Sequence, residues 1–204
     1  MDNKYERPSY EELKNTRNFL LSFFDSDNTL NEFLSDIAKI CVDDGNVIIY
    51  GGCNSGKSTL LRIISNALPV VSRRSEAYNN SDNDYYNPKL SSGEDIKIAI
   101  FDDDYSDSAL SDFKWIFKTN FYYRRLYNLN TYVVKSKIFV TNKDLSNVNN
   151  ELNHRESEFN HIYKLPNIFV PNPNYDIYEN CNINAVRTLI LDKIYPPNIK
   201  GIKR

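Results

Sequence analysis

Residues 47–58 read Val47-Ile48-Ile49-Tyr50-Gly51-Gly52-Cys53-Asn54-Ser55-Gly56-Lys57-Ser58. Four apolar residues in a row are the pattern of a strand buried on both faces of a parallel sheet. The eight that follow match G-x-x-x-x-G-K-[ST], and a helix is predicted from Lys57 to Leu68. In such a turn the glycines let the backbone curl so that successive N–H groups point inward. The following helix presents its positive end to the same point, so an anion is favoured there twice over. A strand before and a helix after are the context that makes the match an expectation of nucleoside triphosphate binding. Lys57 is expected to reach the β and γ phosphates and Ser58 to ligate Mg²⁺, with Gly51, Gly52, Cys53, Asn54, Ser55, Gly56 and Thr59 forming the cradle.

Downstream, Ile96-Lys97-Ile98-Ala99-Ile100-Phe101 reads as a strand that delivers Asp102, Asp103 and Asp104 to its C-terminal edge. Ligands of α/β sheets bind at that edge. One carboxylate is needed in the Mg²⁺ shell and a second to orient or deprotonate the attacking water. Asp102 is assigned to the metal and Asp103 to the water, with Asp104 leaving the register open by one.

The remaining segments alternate between helix and strand. Apolar residues recur at helical spacing through 10–24 and again through 30–40, with a polar break at Asp25–Asn28 where Asp27 or Asn28 is expected to cap the second helix. Pro69-Val70-Val71 is a short strand, 75–93 a polar loop, and 107–118 an amphipathic helix. Residues 121–136 alternate aromatic and basic groups around Asn128-Leu129-Asn130, which predicts a β-hairpin. Ile138-Phe139-Val140 is a buried strand, 145–155 a helix, Ile162–Leu165 a strand, 166–180 a connector and 183–193 a last helix. The alternation predicts an α/β fold with a central parallel sheet flanked by helices, of P-loop NTPase type, with a small N-terminal helical segment. Three parts are expected: a helical collar or oligomerisation segment at 1–44, an ATPase core at 45–170, and a connector with a helix at 171–204.

Composition narrows the classes. The chain has 204 residues, 41% hydrophobic and 25% charged, which is ordinary globular usage and excludes a wholly disordered or collagen-like chain. A net charge of −2 argues against a broadly basic protein that coats nucleic acid, though not against a local basic site. No apolar run approaches the ~18 residues a membrane helix needs, and the polar, acidic N-terminus is unlike a secretory signal, so no membrane partner is expected. Cys41, Cys53 and Cys181 are odd in number and far apart, fitting neither a disulfide framework nor a zinc spacing. An intracellular, reducing location is expected, host nucleus or cytoplasm.

Taken in order, the glycine-rich turn, the strand ending in Asp-Asp and the strand Ile138-Phe139-Val140-Thr141-Asn142 resemble the three motifs of superfamily 3 helicases, the viral ring ATPases of the AAA+ group. The resemblance covers roughly residues 45–166. It implies an asparagine on a strand between the other two, contacting the γ-phosphate or the water, and Asn142 takes that position. It implies a pore hairpin that grips DNA, and Arg124 and Arg125, with Tyr123 and Tyr127 (and Tyr122) available for stacking, occupy that place. It implies an arginine finger supplied to the neighbouring subunit, matched by Arg155 in Leu152-Asn153-His154-Arg155. The implied protein is an ATP-dependent replicative DNA helicase core with ATP and Mg²⁺ as cofactors. It would work as a homo-oligomer, a hexameric ring, on single-stranded DNA and with other replication proteins. Similarity to papillomavirus and parvovirus helicases, to poxvirus-type primase-helicases and to picornavirus-type RNA helicases stays open. The sequence departs from the pattern in the glycine pair often found before the hairpin, where it has Lys118-Thr119-Asn120. Other expectations compatible with the phosphate cradle are a nucleic-acid packaging or assembly ATPase and a small-molecule kinase with Arg73-Arg74 in a lid.

Overall fold

A computed structural model describes residues 7–68, 70–73, 98–101, 121–124, 131–134, 136–142, 161–166 and 181–195. The chain enters through α1 (Tyr10–Leu21) and α2 (Asp27–Val42). It continues through β1 (Asn46–Tyr50), α3 (Lys57–Ala67), β2 (Val70–Arg73), β3 (Ile98–Phe101), β4 (Phe121–Arg124), β5 (Thr131–Val134), β6 (Ser136–Thr141), β7 (His161–Lys164) and α4 (Ile183–Ile194).

Five strands form one parallel sheet in the order β2-β3-β6-β1-β7. The three inner strands are the three apolar runs of the sequence. Val47, Ile48 and Ile49, then Ile98, Ala99 and Ile100, then Ile138, Phe139 and Val140 are all buried, as strands covered on both faces must be. The start of β6 is clipped to the turn between α2 and β1. The Ser136 hydroxyl donates to the carbonyl of Asp43 (3.1 Å) and the Lys137 N–H to that of Gly45 (3.0 Å). Lys137 itself is buried, and that burial lowers its pKa, with Asp44 working in the opposite direction. The hairpin expected at 121–136 is present as an antiparallel pair, with Phe121 opposite Val134 and Arg124 opposite Thr131.

The helices expected at 10–42 form as two. Ser9 closes a capping box at the start of α1, its N–H donating to the Glu12 carboxylate (2.8 Å) while its hydroxyl accepts the Glu12 N–H (3.3 Å). The cap of α2 is Ser26, and this corrects the expectation of Asp27 or Asn28. Ser26 holds the extended backbone a cap requires and its hydroxyl accepts the Thr29 N–H (3.1 Å). Asp27 is already helical; its carboxylate pairs with Arg17 (2.6 Å) and accepts from Asn31 (3.1 Å).

Helix α2 packs on β1, β6 and β7, α3 packs on β2, and α4 lies against α1, α2 and α3. Leu20, Phe33, Leu34 and Ile37 therefore share one core with the sheet residues Val47, Ile49 and Ile138 and with Val186 and Ile190 of α4. At ~1.5–3 kcal/mol for each fully buried large aliphatic or aromatic side chain, this shared layer is a main source of stability. Helices α1, α2 and α4 thus all contribute side chains to the core that the sheet shares. No helix among the described residues is long and apolar enough to cross a membrane.

Candidate functional site

The glycine-rich turn joins the end of β1 to the start of α3. Gly51 is buried, and a Cβ there would meet the Leu165 carbonyl at 2.7 Å and the Ser55 hydroxyl at 2.8 Å. Only glycine fits without moving backbone. Gly56 is the N-terminal cap of α3 at φ 86, a left-handed conformation that other residues adopt at a cost. Asn54 takes a second left-handed position at φ 63, which an asparagine tolerates. Gly52 is different: it faces open space, with nothing within 4 Å of a notional Cβ. No side chain caps the start of α3.

Lys57 lies folded into this turn and is 7% exposed. Its ammonium donates to the carbonyls of Gly51 (2.9 Å) and Gly52 (2.7 Å) and to the Ser55 hydroxyl (3.3 Å). An ammonium has three donors, so these acceptors satisfy it and compensate its burial. Ser58 is exposed beside it, Thr59 is half-buried and Cys53 is exposed. Ser58 is on the first turn of α3, and its hydroxyl is an oxygen donor of the type that Mg²⁺ takes. Among the described residues no cluster of three His, Cys, Asp or Glu side chains would hold a metal.

The turn is tied to two neighbouring strands. The Gly51 N–H donates to the Thr141 carbonyl at the end of β6 (3.3 Å), and the Leu165 N–H donates to the Tyr50 carbonyl (2.8 Å). Tyr50 stands opposite Thr141 in the ladder, so Asn142, which is exposed, follows at the same edge as the turn. Strand β6 separates β1 from β3. All three are parallel, so their C-terminal ends share one sheet edge, and β3 ends at Phe101, directly before Asp102 in the chain. Asp102, Asp103, Arg125, Tyr127 and Arg155 lie outside the described residues. Tyr123 and Arg124 lie on β4, opposite Tyr132 and Thr131 of β5.

No family model matches the chain, and no curated protein matches it. Among solved structures, the A-form apo structure of the C-terminal region of NrS-1 has the same fold. The two agree at a TM-score of 0.53 and 15% identity over 92% of this chain. This chain spans 45% of that solved chain, less than half of it. At this identity the likeness is one of fold.

Sequence reasoning missed a polar cluster around the buried Asp36, where α2 meets β7. Asp36 of α2 has a side chain only 6% exposed. It accepts from the Tyr163 hydroxyl, contacts His161 Nδ1 at 2.5 Å and receives Lys39 Nζ at 3.3 Å. Burial and the Asp36 carboxylate push the Tyr163 hydroxyl's pKa far up, so it stays protonated and donates. A signal is present in the sequence: Asp36 sits in the apolar stripe Phe33, Ile37 and Ile40 at helical spacing. A carboxylate in such a stripe must find donors. The approach of Leu165 to Gly51 has no local signal, because it joins segments far apart in the chain.

Proposed function

We propose that the chain is the ATPase core of a ring-forming helicase of the superfamily 3 type, hydrolysing ATP between subunits to move on single-stranded DNA. The strand order carries this reading: the strand ending in Thr141-Asn142 lies between the strand of the glycine-rich turn and the strand that precedes Asp102 and Asp103. A γ-phosphate seated at the turn would then have Asn142 on one side and the acidic strand end beyond it. A small-molecule kinase has no use for that third strand end or for the β4–β5 hairpin.

On this reading the first-turn amides of α3 bind the β-phosphate, and Lys57 leaves the loop carbonyls to neutralise the β and γ phosphates. Ser58 and Asp102 would hold Mg²⁺, which when bound spreads the charge of the transferring phosphoryl group. Asp103 and Asn142 orient the water for in-line attack, and Arg155 of the neighbouring subunit stabilises charge on the γ-phosphate. Arg124 and Arg125 meet DNA phosphates from the hairpin, while Tyr123 and Tyr127 stack on bases. A finger in trans requires a ring, and a hexamer is the expected form. The test is ATP hydrolysis by the purified chain with and without single-stranded DNA, with mass read by light scattering. Stimulated hydrolysis in a ring-sized particle supports the proposal. A monomer without a DNA response refutes it.

A further inference from the structure

Strand β7 connects two regions of the molecule that the proposed chemistry treats separately. At one end it meets the N-terminal helical layer. The Tyr163 ring stands edge-on to Phe33 (5.1 Å between centroids) and to Phe24 (6.4 Å), and its hydroxyl donates to buried Asp36 of α2. Two residues later, the Leu165 N–H bonds the Tyr50 carbonyl at 2.8 Å. The Leu165 carbonyl confines Gly51 together with the Ser55 side chain, and the Gly51 carbonyl is one of the three acceptors holding Lys57. A continuous series of contacts runs from Asp36 through Tyr163, Leu165 and Gly51 to Lys57. Strand β7 is also terminal in the sheet order, so among the described strands only β1 holds it laterally. Besides that ladder with β1, β7 is held by α2 through Tyr163.

We infer that Tyr163 is a positioning residue, and that its bond to Asp36 is a strut through which helix α2 sets the geometry of the glycine-rich turn. The strut deepens the triphosphate reading and rests on it for its effect on affinity. Its own geometry does not depend on a nucleotide. The groups facing it are Asp36, Lys39 and Glu32 from α2 and His161 from β7. With the hydroxyl gone, Asp36 keeps His161 and Lys39, but the tie to the strand at Tyr163 is lost.

The experiment compares wild-type protein, Tyr163→Phe and Ser26→Ala. Tyr163→Phe keeps the ring and removes only the hydroxyl. Ser26→Ala weakens the same helix at its cap without touching the strut. Amide hydrogen exchange is read at Gly51 and Leu165, and binding of a fluorescent ATP analogue with Mg²⁺ is titrated. A buried bond to a charged acceptor predicts about tenfold faster exchange at those two amides in Tyr163→Phe, and about fivefold weaker binding. Ser26→Ala should lower the melting temperature and leave both readouts at the wild-type value. Unchanged exchange in Tyr163→Phe, or the same change in both variants, overturns the strut. If the wild type binds no triphosphate analogue, the nucleotide reading falls while exchange at Gly51 and Leu165 still decides the strut.

Discussion

The Lys57 ammonium lies 2.7 Å from the carbonyl oxygen of Gly52, inside the turn that it would have to serve. The same ammonium that would neutralise a polyphosphate here donates hydrogen bonds to the inner carbonyls of its own loop. Binding must exchange one set of acceptors for the other. Lys57→Ala is expected to reduce ATP hydrolysis at least about 10²-fold, since it removes a charge that meets the transferring group. Mixed with Arg155→Ala protein, it should recover part of the activity if the arginine acts in trans. Recovery is read from hydrolysis rates across mixing ratios, and a simple dilution curve would remove Arg155 from the site.

The two adjacent glycines should behave differently. Gly51→Ala forces a methyl group to within 2.7 Å of a backbone carbonyl and is expected to cost about 1–3 kcal/mol in denaturant unfolding. Gly52→Ala places its methyl group in open space and should leave unfolding within about 0.5 kcal/mol of wild type. Equal losses at both positions would mean that the turn is not confined by Leu165 as described.

Alkylation should separate the three cysteines. Burial pushes the thiols of Cys41 and Cys181 up to about 11, so at pH 8 little thiolate forms at either. Cys53 is exposed on the turn. Iodoacetamide at pH 8 should label Cys53 first, as read by peptide mass, and Mg·ATP should protect it. A label on Cys53 that leaves ATP affinity unchanged would place the phosphates elsewhere.

His161 provides a pH-dependent readout. Burial lowers its pKa below the ordinary 6.5; the Asp36 carboxylate opposes this, Lys39 adds to it and Glu32 opposes it. The unfolded chain therefore takes up this proton more readily than the folded one. The contribution is constant above pH 6.5, and stability falls as pH drops from there through the lower folded value. With only two histidines in the chain, NMR titration can follow each. His161 should titrate below 6.5, and lower still in Asp36→Asn. Titration above 6.5 would reverse the attribution.

The hairpin prediction concerns nucleic acid alone. Arg124→Ala combined with Arg125→Ala should spare basal hydrolysis, remove stimulation by single-stranded DNA and flatten the salt dependence of binding, because fewer phosphates are then neutralised. Intact DNA binding by that double variant would move the contact away from β4.

The parts of this architecture that can be read from sequence are those that carry their signal locally. Val47–Tyr50, Ile98–Phe101 and Ile138–Val140 are runs of apolar residues, and such runs become inner strands of a parallel sheet. The turn at 51–58 is legible for the same reason, since its glycines and lysine act within eight residues of one another. The cap of α2 is not, because Ser26, Asp27 and Asn28 are three capping types side by side, and only the extended backbone at Ser26 separates them. Asp36 and Tyr163 are 127 positions apart, and nothing local to either one names the other. Phe121–Arg124 and Thr131–Val134 pair as the alternating pattern suggests, while Asp102, Asp103 and Arg155 lie outside the described residues.

Helix α4 closes over α1, α2 and α3, with Arg7 bound to Asp192 at 2.7 Å and Glu12 to Asn182 at 2.9 Å. Early and late segments of the chain thus complete a single apolar layer. During synthesis, α1 and α2 leave the ribosome long before Val186 and Ile190 exist to cover them. Until then the faces of Leu20 and Leu34 remain incompletely covered, however early the sheet assembles. Completion of this layer therefore waits on helix α4, and a nascent chain stalled before Ile183 leaves it open to chaperones and proteases.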